Sequence, residues 1–142
     1  MSHTIELGLD TFGDVTAGQD GQPLSQAESI RNLVLQGELA DQVGLAFIGV
    51  GEHHPPDFSV SAPEVVLAAI AAKTTRIHLG SAVTVLSFDD PVRVFERFST
   101  LNAVSNGRAE VIVGRGSFTG SFPLFGYDLA NYEELFEENL NL

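Results

Sequence analysis

The sequence predicts an α/β fold in which four consecutive βα units supply parallel strands. Short β-rich runs recur along the chain, each followed by a helical pattern: "IELGL" (5–9), "LAFIGV" (45–50), "IHLGSAVTVL" (77–86) and "AEVIV" (109–113). The last three begin 32 residues apart, which is close to the length of one βαβ unit. Their continuous apolar character is typical of parallel strands that are covered on both faces.

Residues with capping chemistry mark where the helices should begin. A serine or asparagine stands three residues before a glutamate, as in a capping box, at Ser25–Glu28, Ser61–Glu64 and Asn131–Glu134. The third helix should begin after Asp90, with a proline in its first turn, and end near Gly107. A helix is therefore expected after every strand.

The first helix should be apolar on two sides. Its first apolar face consists of Ile30, Leu33, Val34 and Gly37. A second face carries Leu35 and Leu39, which lie four residues apart. Two explanations stay open for this second face: it contacts a neighbouring helix of the same chain, or it forms an interface between subunits.

Four βα units with right-handed crossovers form either a small open sheet or part of a (βα)8 barrel. The length of 142 residues favours the open sheet, because a complete barrel takes about 250 residues. Against this, a dinucleotide-binding open sheet carries a GxGxxG turn after its first strand, and "LGLDTFGDV" lacks that turn. In either case, residues 1–142 should form a single domain.

Composition restricts the class of partner. The net charge is −12, which argues against nucleic acids and anionic membranes and favours a small-molecule ligand. No apolar run approaches the roughly 18 residues that span a bilayer, and the first residues lack a signal-peptide pattern, so a cytoplasmic location is expected. Since the chain has no cysteine, disulfides, thiolate metal sites and cysteine nucleophiles are excluded.

The second β-rich run ends in titratable residues, in the stretch "FIGVGEHHPPDF" (47–58). Residues at the carboxyl ends of parallel strands face the ligand-binding side of a barrel, so Glu52, His53 and His54 are placed for chemistry. Successive strand side chains point in opposite directions, so only one of the two histidines should reach a given small site. A metal site is not expected here, because adjacent histidines lack the helical spacing of an HExxH site.

Two later stretches contain further candidates. Gly80, Ser81 and Ala82 are small residues within a strand, which admit either a flat ring or the crowded interior of a barrel. After the fourth strand, Gly114 permits close approach to the backbone, and Arg115 offers a fork of donors to a phosphate or an anionic flavin, or else to a surface carboxylate. His78 is expected to lie in the core with its hydrogen bonds satisfied, and Arg108 is expected to have a structural role.

These motifs resemble, in order, those of the bacterial luciferase-like flavin-dependent monooxygenases. The resemblance covers "GEHH" (51–54), the run from "SAPEVV" through "VIVGRGSF" (61–118) and "FGYD" (125–128). It implies that the chain is the N-terminal (βα)4 half of a (βα)8 (TIM) barrel. It further implies a homo-oligomer formed through early helices, a small organic substrate, oxygen, and reduced FMN or, in one branch of the family, a deazaflavin.

The resemblance also implies roles for individual residues. His53 would act beside the flavin as an acid, a base or a hydrogen-bond partner, which suits a group whose ordinary pKa is near neutral. The flavin ring would lie over a non-proline cis peptide between Ala82 and Val83. Arg115, next to Gly114, would help bind the flavin phosphate, and a separate reductase would supply reduced flavin.

The chain departs from the family in length, because a complete barrel needs roughly twice as many residues. Half a barrel leaves the edges of its sheet exposed, and its inner face is expected to be apolar. The chain is therefore expected to be either a fragment of a longer flavin-dependent oxidoreductase or a half-barrel that associates with another copy. The alternative function is a non-catalytic, self-associating or flavin-sequestering half-barrel.

Overall fold

The computed structural model describes residues 5–142, in which strands and helices alternate. The strands are β1 (Gly8–Thr11), β2 (Phe47–Val50), β3 (His78–Ser81), β4 (Thr84–Val85), β5 (Ala109–Glu110) and β6 (Val113–Gly114). The helices are α1 (Gln26–Val43), α2 (Pro63–Ala71), α3 (Pro91–Val104), α4 (Ser121–Leu124) and α5 (Tyr132–Asn141), with a 3₁₀ turn at Leu129–Asn131. None of these helices is long and apolar enough to cross a bilayer.

All strand pairings are parallel, as the sequence predicts. The main sheet has the order β1-β2-β3-β5, with Gly8 opposite Phe47 and Phe47 opposite His78. Two of the predicted runs are each divided into two strands, because the chain bends between β3 and β4 and again between β5 and β6. The second members of these pairs, β4 and β6, form their own parallel ladder. The first strand begins later than predicted, at Gly8.

The hydrophobic core lies between one face of the sheet and helices α1 to α3. Ile48, Val50 and Leu79 point to this side and are fully buried against helix residues such as Leu67 and Ile70. Helices α1 and α2 approach closely at Gly37, where a Cβ atom would lie 2.7 Å from Ile70 Cγ2. Gly37 is therefore a contact residue of the first predicted face of α1.

The second apolar face of α1 stays uncovered among the described residues. Leu35 and Leu39 are each 56% exposed. No helix among the described residues covers them, and both explanations of this face stay predictions.

The predicted starts of α1 and α3 are confirmed by the hydrogen bonds that cap these helices. Ser25 accepts from the Glu28 N–H and completes the predicted capping box, and Asp90 accepts from the N–H of Arg93. The capping boxes predicted at Ser61 and Asn131 are wrong, because neither side chain caps its helix. Pro63 opens α2 instead, and Glu64 accepts from Arg97 rather than reaching back to the helix start.

The opposite face of the sheet is polar at its amino-terminal end. Here His78 Nδ1 lies 2.7 Å from Glu110 Oε1, and the His78 side chain is 50% exposed, so the prediction of a buried core histidine is wrong. The strand alternation turns Leu79 toward the helices and therefore turns His78 away from them. Gly80 makes room for the ring of Phe47, because a Cβ there would lie 2.5 Å from Phe47 Cζ. The expectation that this inner face of the sheet is apolar is therefore wrong, because the face carries both polar and apolar side chains.

Buried charged groups fix the connections at this same end. The carboxylate of Asp41 accepts from the backbone N–H groups of residues 75–77. Burial alone would raise the pKa of Asp41, but these donors outweigh it and hold the pKa below its usual value. The resulting stabilisation is present above the unfolded-state pKa and is lost as the pH falls through the folded-state pKa. Arg108 is also buried, and its structural role is confirmed by its bonds to surrounding carbonyl groups.

Candidate active site

A cavity of about 240 Å³ opens at the carboxyl ends of the strands. It is bounded by the loop after β2, the bend between β3 and β4, and the loop after β6. The residues that matter most for its chemistry are His53, Ala82, Val83, Gly116, Ser117 and Phe118. Ligands of parallel α/β proteins bind at this end of the strands.

His53 lies in the wall of this cavity and is 8% exposed. Its ring stacks on Phe58 with centroids 4.2 Å apart, and it meets Phe118 and Phe12 edge-on at 4.9 and 5.3 Å. Among residues 5–142, its buried Nδ1 atom has no hydrogen-bond partner. Buried polar atoms usually have one, so an unpartnered nitrogen at a cavity wall indicates a place for a ligand.

The local backbone explains why the His53 ring takes this position. Gly51 has no Cβ, and one placed there would lie 2.9 Å from His53 Cε1. The loops after β1 and β2 are joined above the ring, where the Ser59 N–H and Oγ both donate to the Gly13 carbonyl. This junction holds Phe12 and Phe58 around His53 and keeps its ring away from solvent.

Burial lowers the pKa of His53, while a hydrogen bond to the backbone of Phe12 and, to a smaller extent, the charge of nearby Asp14 oppose that effect. The ring is therefore neutral at neutral pH, with one nitrogen able to accept a proton and the other able to donate one. Such a group can act as a general base toward a molecule in the cavity.

Ala82 and Val83 form another part of the cavity wall, at the bend between β3 and β4. The peptide bond between them is cis. The Ala82 N–H donates to the Val50 carbonyl, and Thr84 N–H donates to the Ile112 carbonyl, so both sides of the bend are tied to neighbouring strands. Ser81 points the other way, and its hydroxyl group bonds the backbone of Ile112.

The predicted residues Gly114 and Arg115 lie beside the cavity rather than in its wall. Gly114 supports Val83 from behind, since a Cβ at Gly114 would lie 2.6 Å from Val83 Cγ2. Arg115 Nε lies 2.8 Å from Glu133 Oε2, and its guanidinium is 4.5 Å from the centre of the Phe136 ring. The structure thus brings His53, Ala82 and Val83 together and places Arg115 in a partly exposed ion pair.

Of the other two titratable residues of "GEHH", Glu52 also lines the cavity of His53, whereas His54 does not. His54 Nε2 lies 2.9 Å from Glu52 Oε1, and the His54 ring contacts the ring of Phe125 edge-on. His54 lines a separate groove of about 840 Å³ between α2 and α3. The alternation expected from two adjacent strand-end histidines is therefore present.

The profile of the luciferase-like monooxygenase family matches residues 11–142, which is almost the whole chain. The chain belongs to the luciferase-like monooxygenase family. This confirms the resemblance carried by "GEHH", "GRGSF" and the sequence between them.

Named members of the family show how far the similarity extends. The chain is 32% identical over 125 residues to the alkanal monooxygenase alpha chain of the Kryptophanaron alfredi symbiont, covering 87% of this chain and 35% of that one. A protein of Sinorhizobium fredii is 34% identical over 90% of this chain and 37% of its own length. The chain thus spans little more than a third of the length of these relatives.

Solved structures confirm the predicted fold. The FMN complex of the oxygenating constituent of 3,6-diketocamphane monooxygenase, from Pseudomonas putida, superposes with a TM-score of 0.86 at 20% identity. That match covers 98% of this chain and 38% of the other. The coenzyme F420 dependent tetrahydromethanopterin reductase of Methanopyrus kandleri gives a TM-score of 0.67 at 19% identity, with 87% and 30% covered. In this luciferase-like chain, the βα units are therefore part of a TIM barrel.

Two residues of this cavity, Ser117 and Phe118, were not predicted from the sequence. Phe118 contacts the His53 ring, and Gly116 and Ser117 line the cavity beside it. Ser117 and Phe118 both lie in "GRGSF", which follows a strand end, but only the arginine of this stretch has a charged side chain that indicates ligand binding. Phe12, which follows β1, is 54% exposed and contacts His53 at the cavity wall.

Proposed function

We propose that this chain carries the flavin-contacting half of a flavin-dependent monooxygenase that uses reduced FMN and oxygen to oxidise a small organic substrate. The observation that carries the proposal is the buried His53, which lines a cavity together with Ala82 and Val83 and whose Nδ1 has no hydrogen-bond partner among the described residues. Membership of the luciferase-like family supports it.

The residues present fit a flavin ring. The cavity volume of about 240 Å³ is smaller than a typical complete ligand site of ~300–1,000 Å³, so it suits a ring system rather than a whole dinucleotide. Its wall combines apolar side chains with small residues, and such surfaces accept a flat ring at close range. The phosphate end would extend out of the cavity toward the loop that contains Arg115.

Reduced flavin supplies the redox chemistry with oxygen when it is bound, and the chain contributes the surroundings. Ala82 and Val83 form a floor that orients the ring. Phe12, Phe58 and Phe118 exclude water from His53, which strengthens every electrostatic interaction inside the site. His53 would hold or accept a proton at Nδ1, the atom that has no hydrogen-bond partner among residues 5–142.

FMN is the cofactor we propose first, with a deazaflavin as the alternative. Solved structures of similar fold include one in complex with FMN and one of a coenzyme F420 dependent enzyme. We propose that Arg115 binds the cofactor phosphate after leaving Glu133. The cost of that exchange is small, because exposed ion pairs contribute little and a bidentate phosphate contact is stronger.

The remaining proposals concern the setting of this activity. We propose that residues 1–142 fold as one domain, supported by a continuous core cluster spanning α1 to α3. We also propose a cytoplasmic enzyme that receives reduced flavin from a separate reductase. The alternative function remains a non-catalytic, self-associating or flavin-sequestering chain, and it is favoured by the exposed apolar face of α1 at Leu35 and Leu39.

Ala82→Leu is expected to weaken FMN binding at least about tenfold, equivalent to about 1.4 kcal/mol. The larger side chain would occupy the floor on which the ring must lie. Binding is measured with the full chain by quenching of FMN fluorescence. Ala103→Leu, on an exposed part of α3, is the matched control and should bind FMN like the wild type. Equal affinities for Ala82→Leu and wild type would contradict the proposed site.

Self-association through α1 is expected to raise the mass in solution above the 15.2 kDa of one chain. Leu35 and Leu39 lie one helical turn apart and are exposed, so a second copy would bury them against its own α1. Leu39→Lys should shift the light-scattering mass toward the monomer, whereas Gln36→Lys on a neighbouring exposed position should not. A wild-type monomer at high concentration would show that this face has no such role.

A further inference from the structure

Glu52 separates the cavity from the outer groove and lines both of them. Its Oε1 lies 2.9 Å from His54 Nε2, and its Oε2 accepts from the Val85 N–H at 3.3 Å. The His54 side chain is 13% exposed on the groove side. A continuous polar route therefore runs from the cavity wall through Glu52 to His54 and the groove.

The charges around Glu52 and His54 favour the binding of a proton by this pair. Burial raises the pKa of Glu52, with Asp89 adding to the effect, while the hydrogen bonds from His54 and Val85 oppose it. The charged groups facing the pair from the groove are Glu64, Asp89, Glu96 and Arg97. Arg97 pairs with both Glu64 and Asp89, so its positive charge compensates the charges of those two carboxylates. Among the described residues, the charge of Glu52 is then compensated only by His54.

We propose that Glu52 and His54 act as one proton-holding pair, which takes up a proton from the groove when an anionic reduced flavin ring occupies the cavity. This inference rests on the proposed function. A negative ring beside an ionised Glu52 is costly in a site of low dielectric, and uptake of one proton changes the pair from net −1 to neutral. The proton comes from groove water, forms a bond to His54 or Glu52, and leaves by the same route when the ligand departs.

His53 cannot replace this pair in that task. Its ring is enclosed by Phe12, Phe58 and Phe118, and no carboxylate accepts a hydrogen bond from it among the described residues. The structure thus divides the two histidines: His53 faces the ligand, and His54 connects a wall carboxylate to the groove.

The test measures proton uptake by calorimetry of FMN binding to the full chain, in buffers that differ in ionisation enthalpy. Reduced FMN under anaerobic conditions is compared with oxidised FMN, whose ring is neutral. Near neutral pH, the wild type should take up about 0.5 to 1 more proton with reduced FMN than with oxidised FMN. Glu52→Gln keeps the shape and a hydrogen bond but cannot ionise, so this difference should fall close to zero.

Glu110→Gln is the matched control, because Glu110 forms a histidine pair of the same kind with His78 on the exposed face of the sheet. That variant should take up as many protons as the wild type. Equal uptake by wild type and Glu52→Gln would overturn the inference, even with FMN bound normally.

A readout without flavin separates this inference from the proposed function. Carbon-13 NMR of the free chain should show the Glu52 carboxyl titrating above the ordinary glutamate range, because burial raises its pKa. His54→Asn should raise that pKa further, since the histidine lowers it. If the Glu52 carboxyl titrates in the ordinary glutamate range and His54→Asn does not change its pKa, the proton-holding pair is refuted. If the wild type does not bind FMN, the proposed function is refuted instead.

Discussion

Replacement of His53 by alanine should lower the rate at which the full chain consumes reduced FMN in the presence of oxygen and substrate by about 10²–10⁴-fold. The ring that the variant loses lines the cavity, carries the unpartnered Nδ1 and contacts three phenylalanine rings. The rate is measured by loss of reduced-flavin absorbance, with His78→Ala as the control. His78 is half exposed on the other end of the sheet, so its loss should leave the rate unchanged.

The pH dependence of the same rate provides a second criterion. Since burial lowers the pKa of His53 below its ordinary value of 6.5, the neutral ring should persist into mildly acidic solution. Activity that needs the neutral ring should then be lost on acidification with a midpoint below 6.5, and His53→Gln should remove that titration. Normal FMN binding combined with equal rates for wild type and His53→Ala would favour the non-catalytic, flavin-sequestering alternative.

The sequence predicts the parallel βα order well because local periodicity and spacing carry it. The runs at 45–50 and 109–113 contain paired strands as predicted, and Ser25 and Asp90 cap their helices. Bends within a strand have no such local signal. The division of the 77–86 run follows from how its backbone pairs with Val50 before the bend and with Ile112 after it.

The positions of other residues could not be predicted, because their side chains bond to residues that are distant in the sequence. Ser61 has capping chemistry, but Pro63 sets the start of α2 and Glu64 bonds Arg97, 33 positions away. His78 was expected in the core because its run is apolar, yet strand alternation and the pairing with Glu110 place it on the polar face. The composition of a run does not reveal which face each member occupies.

The candidate site was predictable at its strand ends and less so in its loops. "GEHH" identified the position of His53, because carboxyl ends of parallel strands converge. Phe118 contacts His53 from a different loop, and Arg115 pairs with Glu133 of α5. Neither pairing has a sequence spacing that could indicate it, so only the folded structure reveals them.

Arg108 is expected to be the most important single side chain for stability among those outside the cavity. Its Nε donates to the Ser105 carbonyl at 2.7 Å, and its Nη1 donates to the Ile77 carbonyl and to the Thr74 hydroxyl, both at 2.9 Å. Its Nη2 donates to the Ala71 and Thr74 carbonyls. One guanidinium therefore satisfies the end of α2, the start of β3 and the turn after α3.

Arg108→Met should lower the free energy of unfolding by about 3–5 kcal/mol, because each buried polar group left without a partner costs about 1–3 kcal/mol and the site relaxes only in part. Urea denaturation followed by circular dichroism measures this change. Arg93→Met is the matched control, since Arg93 forms an exposed pair with Glu96 and its loss should cost less than about 1 kcal/mol. A similarly small loss for Arg108→Met would mean that water replaces the guanidinium at those carbonyls. The large loss would instead show that Arg108 holds β5 against β3, on which the loops that build the cavity depend.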